Sequence, residues 1–192
     1  MSTPTVIRNL LSDSAFGSLQ DWVVHSARHG GGWDEQFQRT HLHQSNVLRG
    51  LHDSLTPFAS EVFGVPLKAS YTFVSNYLDG GRCPLHVDRP QCFRTIDLLV
   101  AADDPEPWPL RIAEPWSDEQ WDNYDGERHH GIIEPDTEPD LDATWHDILL
   151  YPNDAACYSG THSWHYRPAP SNGRADLIFF HFVLEDFDDP LN

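Results

Sequence analysis

Residues 71–88, YTFVSNYLDGGRCPLHVD, carry the pattern on which the fold prediction depends. Large side chains alternate from Tyr71 to Tyr77, which is typical of a β-strand with one face in a core. The Asp-Gly-Gly at 79–81 predicts a turn. His86 and Asp88 follow, and in extended backbone the side chains of residues i and i+2 lie on one face. The segment therefore predicts a strand, a turn and two polar side chains that could ligate one metal ion.

The flanking sequence predicts two helices and a series of short strands. Apolar residues recur on one side of residues 14–29 and of residues 45–63, as in amphipathic helices, and three glycines at 30–32 end the first. Further strands are predicted at 5–11, 85–88, 93–101, 110–113, 147–151, 155–158 and 177–185. Two helices followed by many short strands favour an α+β fold that is mainly β, with an antiparallel sandwich or barrel.

The length of 192 residues and the 39% hydrophobic content suit a single domain spanning 1–192. Residues 103–146 are less regular, being rich in Pro, Asp, Glu and Trp. Long irregular segments within compact domains are usually functional. We expect an insertion or lid over the mouth of a site; the alternative is a packed loop anchored by its tryptophans.

The charge excludes several classes of partner. Lys and Arg total 12 and Asp and Glu total 30, a formal net charge of −18, which argues against nucleic acid and anionic membranes. No apolar run reaches the length of a membrane span, and the first residues do not resemble a signal peptide. Three cysteines without metal-knuckle spacing, Cys83, Cys92 and Cys157, predict reduced thiols in the cytoplasm.

A third metal ligand is available in GTHSWHYRP at 160–168, where either His162 or His165 could supply it. Two histidines and one carboxylate on one side of a metal leave positions open for other ligands. This donor set points to non-haem Fe(II) oxygenases. The His-Glu-x-x-His motif of many zinc hydrolases does not occur in the sequence.

The order of these motifs, with Tyr77 and Gly80 before them and Gly173-Arg174 after them, resembles the Fe(II)/2-oxoglutarate-dependent dioxygenases. The closest likeness is to the prolyl-hydroxylase-like group, and it covers roughly residues 69–185. It implies a double-stranded β-helix (jelly-roll) fold, in which the two predicted helices are the usual N-terminal support of the barrel.

The resemblance also implies roles for individual residues. His86, Asp88 and His165 match the Fe(II) ligands, and Arg174 matches the basic residue that pairs with the far carboxylate of 2-oxoglutarate. Arg174 lies nine positions after His165, which fits the family better than the twelve from His162. Tyr77 matches a tyrosine that often contacts the cosubstrate, although a packed core tyrosine is an equal alternative.

The implied activity is an O2-dependent hydroxylation of a small molecule, such as an amino acid or a specialised metabolite. Desaturation and cyclisation use the same ligands. The alternatives are a protein or peptide hydroxylase, a non-catalytic jelly-roll that binds metal, and a zinc or nickel cupin enzyme. Arg89, Arg94 and Arg167 are candidates for holding a substrate carboxylate.

Overall fold

A computed structural model describes residues 3–124 and 141–190. Within these residues there are three α-helices and ten β-strands. The helices are α1 (Asp13–His25), α2 (Arg49–Phe63) and α3 (Asp118–Asp122). The strands are β1 (Thr5–Ile7), β2 (Gly32–Asp34), β3 (Arg39–His43), β4 (Leu67–Tyr77), β5 (Arg94–Ala102), β6 (Leu110–Ala113), β7 (Trp145–Ile148), β8 (Ala155–Tyr158), β9 (His165–Tyr166) and β10 (Ala175–Leu184).

The strands form two antiparallel sheets. The larger has the order β1-β8-β5-β10-β4-β3-β2, and the smaller has the order β7-β6-β9. The long strands β4, β5 and β10 are adjacent in the middle of the larger sheet. Their side chains alternate between its two faces, so each face has its own core.

Helices α1 and α2 cover the outer face of the larger sheet. Leu19 and Val23 of α1 and Leu55 and Ala59 of α2 belong to one buried apolar cluster with side chains from the sheet, including Val74. Ser12 caps the start of α1 by accepting a hydrogen bond from the backbone of residue 15, which satisfies one of the free amides of the first turn.

The inner face of the larger sheet meets the smaller sheet. Leu99 of β5 and Leu177 of β10 pack there with Leu110 and Ile112 of β6, in a second buried cluster. Odd-numbered residues from Tyr71 to Tyr77 of β4 and from Ala175 to His181 of β10 therefore face the space between the sheets. This space holds the candidate site.

The mainly β architecture with antiparallel sheets and two N-terminal helices is confirmed. Both long helices form close to their predicted positions, and 3-10 turns at Ala27–His29 and Asn46–Leu48 take up part of the predicted ranges. Pro57 lies inside α2 without dividing it. Strands β6 and β8 have their predicted bounds, and β5 and β10 differ by one or two residues.

The strand prediction for residues 85–88 was wrong, and one hairpin was missed. Residues 85–88 do not form a strand; Leu85 and His86 make only isolated bridge contacts, and that of His86 pairs it with His165. The hairpin of β2 and β3 was not predicted, because three glycines and scattered polar residues give residues 30–43 no clear apolar period.

Residues 125–140 of the expected insertion at 103–146 lie outside the described part of the chain. In the described part, Trp116, Trp121 and Tyr124 pack with Trp164 in a buried aromatic cluster, with ring centroids 4.9 to 6.0 Å apart. The tryptophans thus tie this segment to the stretch that carries His165. Among the described residues, no helix has the length and apolar character needed to cross a membrane.

His52 connects helix α2 to the larger sheet and gives the fold a dependence on pH. Its Nε2 donates a hydrogen bond of 2.9 Å to the buried carbonyl of His181, and burial lowers the pKa of His52 to about 4. The unfolded chain binds this proton near pH 6.5. Stability from neutral His52 is therefore present above pH 6.5 and is lost as the pH falls towards 4.

We expect the wild-type protein to lose more unfolding free energy between pH 7 and pH 5 than His52→Leu does, by about 2 kcal/mol. Urea unfolding at the two pH values measures this difference. Equal losses in the two proteins would contradict the assignment of the proton to His52.

Candidate metal centre

Two chain segments, residues 83–88 and residues 160–167, pair across one end of the space between the sheets. The amide of His86 donates to the carbonyl of His165 at 3.0 Å, and the reverse bond measures 2.9 Å. The amide of Asp88 donates to the carbonyl of Gly160 at 2.8 Å, and that of Arg167 donates to the carbonyl of Cys83 at 2.8 Å. These backbone bonds bring together side chains that lie about 80 positions apart in the sequence.

The three predicted ligand side chains converge at this pairing. One ligand atom from each of His86, Asp88 and His165 lies within 4.8 Å of the other two. Oδ1 of Asp88 is 3.6 Å from Nε2 of His86 and 3.7 Å from Nε2 of His165. These separations are too long for hydrogen bonds. The three donors therefore face a shared point without satisfying one another, as ligands of one ion would.

Backbone carbonyls fix the orientation of both imidazole rings. Nδ1 of His86 donates to the carbonyl of Pro84 at 2.7 Å, and Nδ1 of His165 donates to the carbonyl of Ser163 at 2.9 Å. Each ring therefore carries its proton on Nδ1 and leaves the lone pair of Nε2 free. Metal-binding histidines commonly have such a bond to the second nitrogen.

The protonation states also suit a cation. Burial is the main reason why the pKa of both His86 and His165 falls to about 4, so both rings are neutral at neutral pH. Burial raises the pKa of Asp88 to about 6, and a bound cation would favour its ionised form. The donor set of two neutral imidazoles and one carboxylate fits a divalent transition metal with open coordination positions.

A second group of possible ligands, Asp88, Cys92 and His181, shares the carboxylate of Asp88. Its other two members are already bound to protein groups. The Cys92 thiol lies 2.9 Å from the Tyr71 hydroxyl, and Nδ1 of His181 lies 3.1 Å from the Thr95 hydroxyl. The group of His86, Asp88 and His165, in which both histidine Nε2 atoms are free, is therefore the better metal site.

Gly160 is required by the packing around Asp88. A Cβ atom at this position would lie 2.3 Å from the Cys92 carbonyl oxygen, 2.5 Å from Oδ2 of Asp88 and 3.0 Å from the Thr95 hydroxyl. Because the nearest atom belongs to the backbone of Cys92, a side chain here would force residue 160 away from Cys92 and from the Asp88 carboxylate.

The three ligands line a cavity of about 300 Å³ between the sheets. Aromatic rings make up much of its wall, among them Phe73, Tyr158 and Phe179. Three arginines, Arg39, Arg89 and Arg167, also line it. In a chain with a net charge of −18, this concentration of cationic side chains makes the cavity suited to anions.

Two of these arginines flank Tyr77. Nη1 of Arg39 donates to the Tyr77 hydroxyl and to the Ser75 hydroxyl, both at 3.1 Å. Arg167 lies against the Trp108 ring, with its guanidinium carbon 4.2 Å from the centroid, and Trp108 packs edge-on against Tyr77 at 5.0 Å. Burial raises the pKa of Tyr77 to about 12, so the hydroxyl stays protonated and can donate to an anion.

Asp97 is a buried acid that the sequence analysis did not single out. It is 1% exposed on the inner face of β5, and its Oδ2 lies 3.9 Å from Nη2 of Arg167. Its Oδ1 is buried without a hydrogen-bond partner among the described residues. Burial raises the pKa of Asp97 to about 7, and the positive charge of Arg167 opposes that rise. Asp97 is thus a weak counter-ion that leaves Arg167 able to bind another carboxylate.

The structure does not bring Arg174 into this cavity. Arg174 precedes β10, whose inward-facing residues are the odd-numbered ones from Ala175 to His181, so strand alternation directs Arg174 elsewhere. It lines a separate groove with Pro170, and its backbone amide donates to Asp103. Arg167, two positions after His165, occupies the cavity instead.

His162 is also separated from the site. It lines a different cavity with Phe93 and Asp118, and its Nε2 lies 4.0 Å from an Asp118 carboxylate oxygen. The geometry therefore favours His165 as the distal ligand. Of the other arginines considered for a substrate, Arg94 is buried outside the cavity and donates to the Ser159 hydroxyl at 2.8 Å.

Comparison with solved structures shows the fold to be a known one. HygX from Streptomyces hygroscopicus, determined with nickel, 2-oxoglutarate and hygromycin B bound, is 12% identical with a TM-score of 0.66 over 96% of this chain and 84% of HygX. A Pseudomonas putida prolyl-4-hydroxylase is 11% identical with a TM-score of 0.62, over 95% of this chain and 92% of the hydroxylase.

EctD from S. alaskensis with bound Fe is 13% identical with a TM-score of 0.63, over 98% of this chain and 75% of EctD. No protein-family description and no curated protein matches the sequence. At these identities the likeness establishes a shared fold, and the chemistry of this chain has to be argued from its own residues.

We expect His165→Ala to abolish tight binding of Co(II), whose visible spectrum reports on its ligands, while His162→Ala binds it like the wild type. Loss of one of three ligands removes a metal–nitrogen bond, whereas His162 is outside the cavity. Anaerobic Co(II) titration measures both affinities, and far-UV circular dichroism checks the folding of each variant. Equal losses in the two variants would contradict the assignment.

We expect Gly160→Ala to lower the free energy of unfolding by about 1–3 kcal/mol and to weaken Co(II) binding, because the added methyl group overpacks the site. Gly50→Ala is the matched control: its Cβ would meet nothing within 4 Å on helix α2, so it should stabilise the protein slightly. Urea unfolding and Co(II) titration test both variants. If Gly160→Ala changed neither the free energy of unfolding nor the affinity for Co(II), residue 160 would not need to lack a side chain.

Proposed function

We propose that this protein is an Fe(II)- and 2-oxoglutarate-dependent oxygenase with a double-stranded β-helix fold, acting on a small molecule. The observation that carries the proposal is the convergence of His86, Asp88 and His165, with both imidazole Nε2 atoms free, in a fold shared with proteins that hold nickel or iron and 2-oxoglutarate. The two sheets facing each other across the cavity support the jelly-roll assignment.

Each ligand has a defined task in this proposal. His86 and His165 would provide neutral nitrogen donors and Asp88 would provide a negative charge, and further ligands would reach the ion from the cavity that these residues line. Bound iron and 2-oxoglutarate together supply the oxidising power for O2-dependent attack on a C–H bond. The protein's contribution is to hold the reactants in the cavity and to exclude water from it.

The far carboxylate of 2-oxoglutarate fits the group formed by Arg39, Tyr77 and Arg167. Two guanidiniums and a protonated hydroxyl converge there, and a guanidinium matches the planar geometry of a carboxylate. This retains Tyr77 from the sequence analysis and replaces Arg174 with Arg167. Trp108, whose carbonyl accepts a hydrogen bond from Arg167 and whose ring lies against the guanidinium, holds that side chain in place.

The cavity favours a small substrate over a polypeptide. Its volume of about 300 Å³ is at the lower end of the range for small-molecule sites, and both sheets enclose it. We further propose that the chain is one domain located in the cytoplasm, because Cys83, Cys92 and Cys157 are all free thiols. The net charge of −18 opposes a nucleic-acid substrate.

Addition of Fe(II) and 2-oxoglutarate to the metal-free protein without oxygen tests the proposal. We expect the visible charge-transfer band of an iron–2-oxoglutarate chelate, and release of succinate once oxygen is admitted. Absence of the band would overturn the proposed function. A band without any succinate would favour the alternative of a non-catalytic metal-binding module.

We expect Arg167→Gln to weaken 2-oxoglutarate binding by about 10- to 100-fold, the cost of losing a charge-assisted bidentate contact. Arg174→Gln should leave binding unchanged. Titration of the charge-transfer band with 2-oxoglutarate gives both affinities. Arg167→Lys keeps a positive charge next to Asp97 and should show an intermediate loss, which separates lost recognition from misfolding. If Arg174→Gln bound 2-oxoglutarate more weakly than Arg167→Gln, Arg174 rather than Arg167 would be the residue that binds its far carboxylate.

A further inference from the structure

Arg89 stands at the mouth of the cavity, directly after the metal ligand Asp88 in the sequence. Its side chain is exposed, yet it lines the same cavity as the three ligands. Arg39 and Arg167 lie with Tyr77 and are used by the proposed cosubstrate site. Arg89 lies instead with Tyr71, and the proposed function gives it no task.

Neutral neighbours hold the Arg89 side chain in one place. Its Nε donates to the Tyr71 hydroxyl at 3.1 Å, and its guanidinium carbon lies 4.5 Å from the centroid of the Tyr71 ring. Its Nη2 lies 3.1 Å from Nε2 of His43. Burial and the charge of Arg89 both lower the pKa of His43, so the ring is neutral and accepts this hydrogen bond. The cation is therefore oriented before any ligand binds.

Arg89 forms no salt bridge with any residue in the described parts of the chain. The other two arginines of the cavity each have an acidic neighbour, Asp34 at 3.4 Å for Arg39 and Asp97 at 3.9 Å for Arg167. The nearest acid in the sequence is Asp88, whose charge interacts with Arg89 without forming a salt bridge and which is assigned to the metal. The fork of donors of Arg89 remains available to an anion from solution.

Much of the wall of the cavity that Arg89 shares with the metal ligands is aromatic. Phe73 and Phe179 line it, with ring centroids 6.4 Å apart, and the Tyr71 ring, which lies against Arg89, lines it as well. A ligand that matches this cavity would place an apolar or aromatic group against the aromatic wall and a negatively charged group next to Arg89 at the mouth.

We propose that the substrate is an apolar or aromatic carboxylic acid whose carboxylate binds Arg89, which places its hydrocarbon part against the metal ligands. This inference rests on the proposed function for the reaction and adds the class of substrate. Arg94, the other arginine close to residues 83–88 in the sequence, is buried against Ser159 outside the cavity and cannot bind the substrate carboxylate.

The test compares carboxylates with their neutral analogues. The probes are benzoate, phenylacetate, 3-phenylpropanoate and octanoate, each paired with its primary amide. Binding is measured by anaerobic calorimetry with saturating Fe(II) and 2-oxoglutarate, so that the Arg167 site is already filled. We expect the wild type to prefer at least one carboxylate over its amide by tenfold or more, and Arg89→Gln to remove that preference.

The matched control is Arg49→Gln. Arg49 is an exposed arginine on α2 that also has only a neutral hydrogen-bond partner, the Asn46 side chain at 3.1 Å, and it lies outside the cavity. The change alters the net charge by the same amount and should leave the preference intact. Arg89→Lys, which keeps the charge but loses the fork, should retain part of it.

The outcomes separate this inference from the proposed function. The charge-transfer band should form in Arg89→Gln as in the wild type, because Arg89 belongs to neither the metal site nor the cosubstrate site. Failure of the band in the wild type refutes the proposed function, and calorimetry still reads carboxylate binding directly. No preference for any carboxylate in the wild type, or the same preference in Arg89→Gln, would overturn the assignment of Arg89.

Discussion

The pairing of residues 83–88 with residues 160–167 is the constraint on which the site depends. Neither segment supplies a complete set of ligands, and the reciprocal backbone bonds between His86 and His165 fix the distance between them. A functional site needs its side chains held to within about 0.5 Å, and reciprocal backbone bonds between two segments hold them more precisely than a flexible loop does. The close approach of the segments is possible because residue 160 has no side chain.

The two sheets support this pairing from different sides. Strands β4, β5 and β10 provide a long, rigid wall whose alternate side chains face the cavity, and helices α1 and α2 bury the opposite face of that wall. The smaller sheet and the aromatic cluster around Trp164 hold the second ligand segment in place. Polar groups within the space between the sheets are costly unless they are paired or bind a ligand. The convergence there of arginines, histidines and acids in one apolar setting is the strongest structural sign of function.

Much of the fold and the convergence of His86, Asp88 and His165 could be predicted from the sequence, because the strand pattern and the spacing of these residues follow local rules. The strand at 67–77 follows from alternation, and the position of His86 and Asp88 on one side follows from their spacing. The charged residues that line the cavity could not be predicted in the same way. Arg39 lies on a hairpin strand without a clear apolar period, and Asp97 looks like any polar residue in a strand until the sheets close over it. Arg174 matched the spacing of the family. However, β10 begins at Ala175 with an inward-facing side chain, so the preceding residue, Arg174, points away from the cavity.

The arginines inside the cavity and the acids outside it have opposite effects on an approaching anion. At long range the net charge of −18 repels any dicarboxylate, while within the cavity Arg39, Arg89 and Arg167 attract it. Dissolved salt screens exposed charges over about 8–10 Å at physiological ionic strength but reaches the more enclosed guanidiniums of Arg39 and Arg167 much less. Anionic ligands should therefore associate faster as ionic strength rises, the reverse of what is usual for a site lined by arginines. Because the acidic residues lie outside the cavity, ionic strength should change the rate at which an anion enters the cavity more than the rate at which a bound anion leaves it.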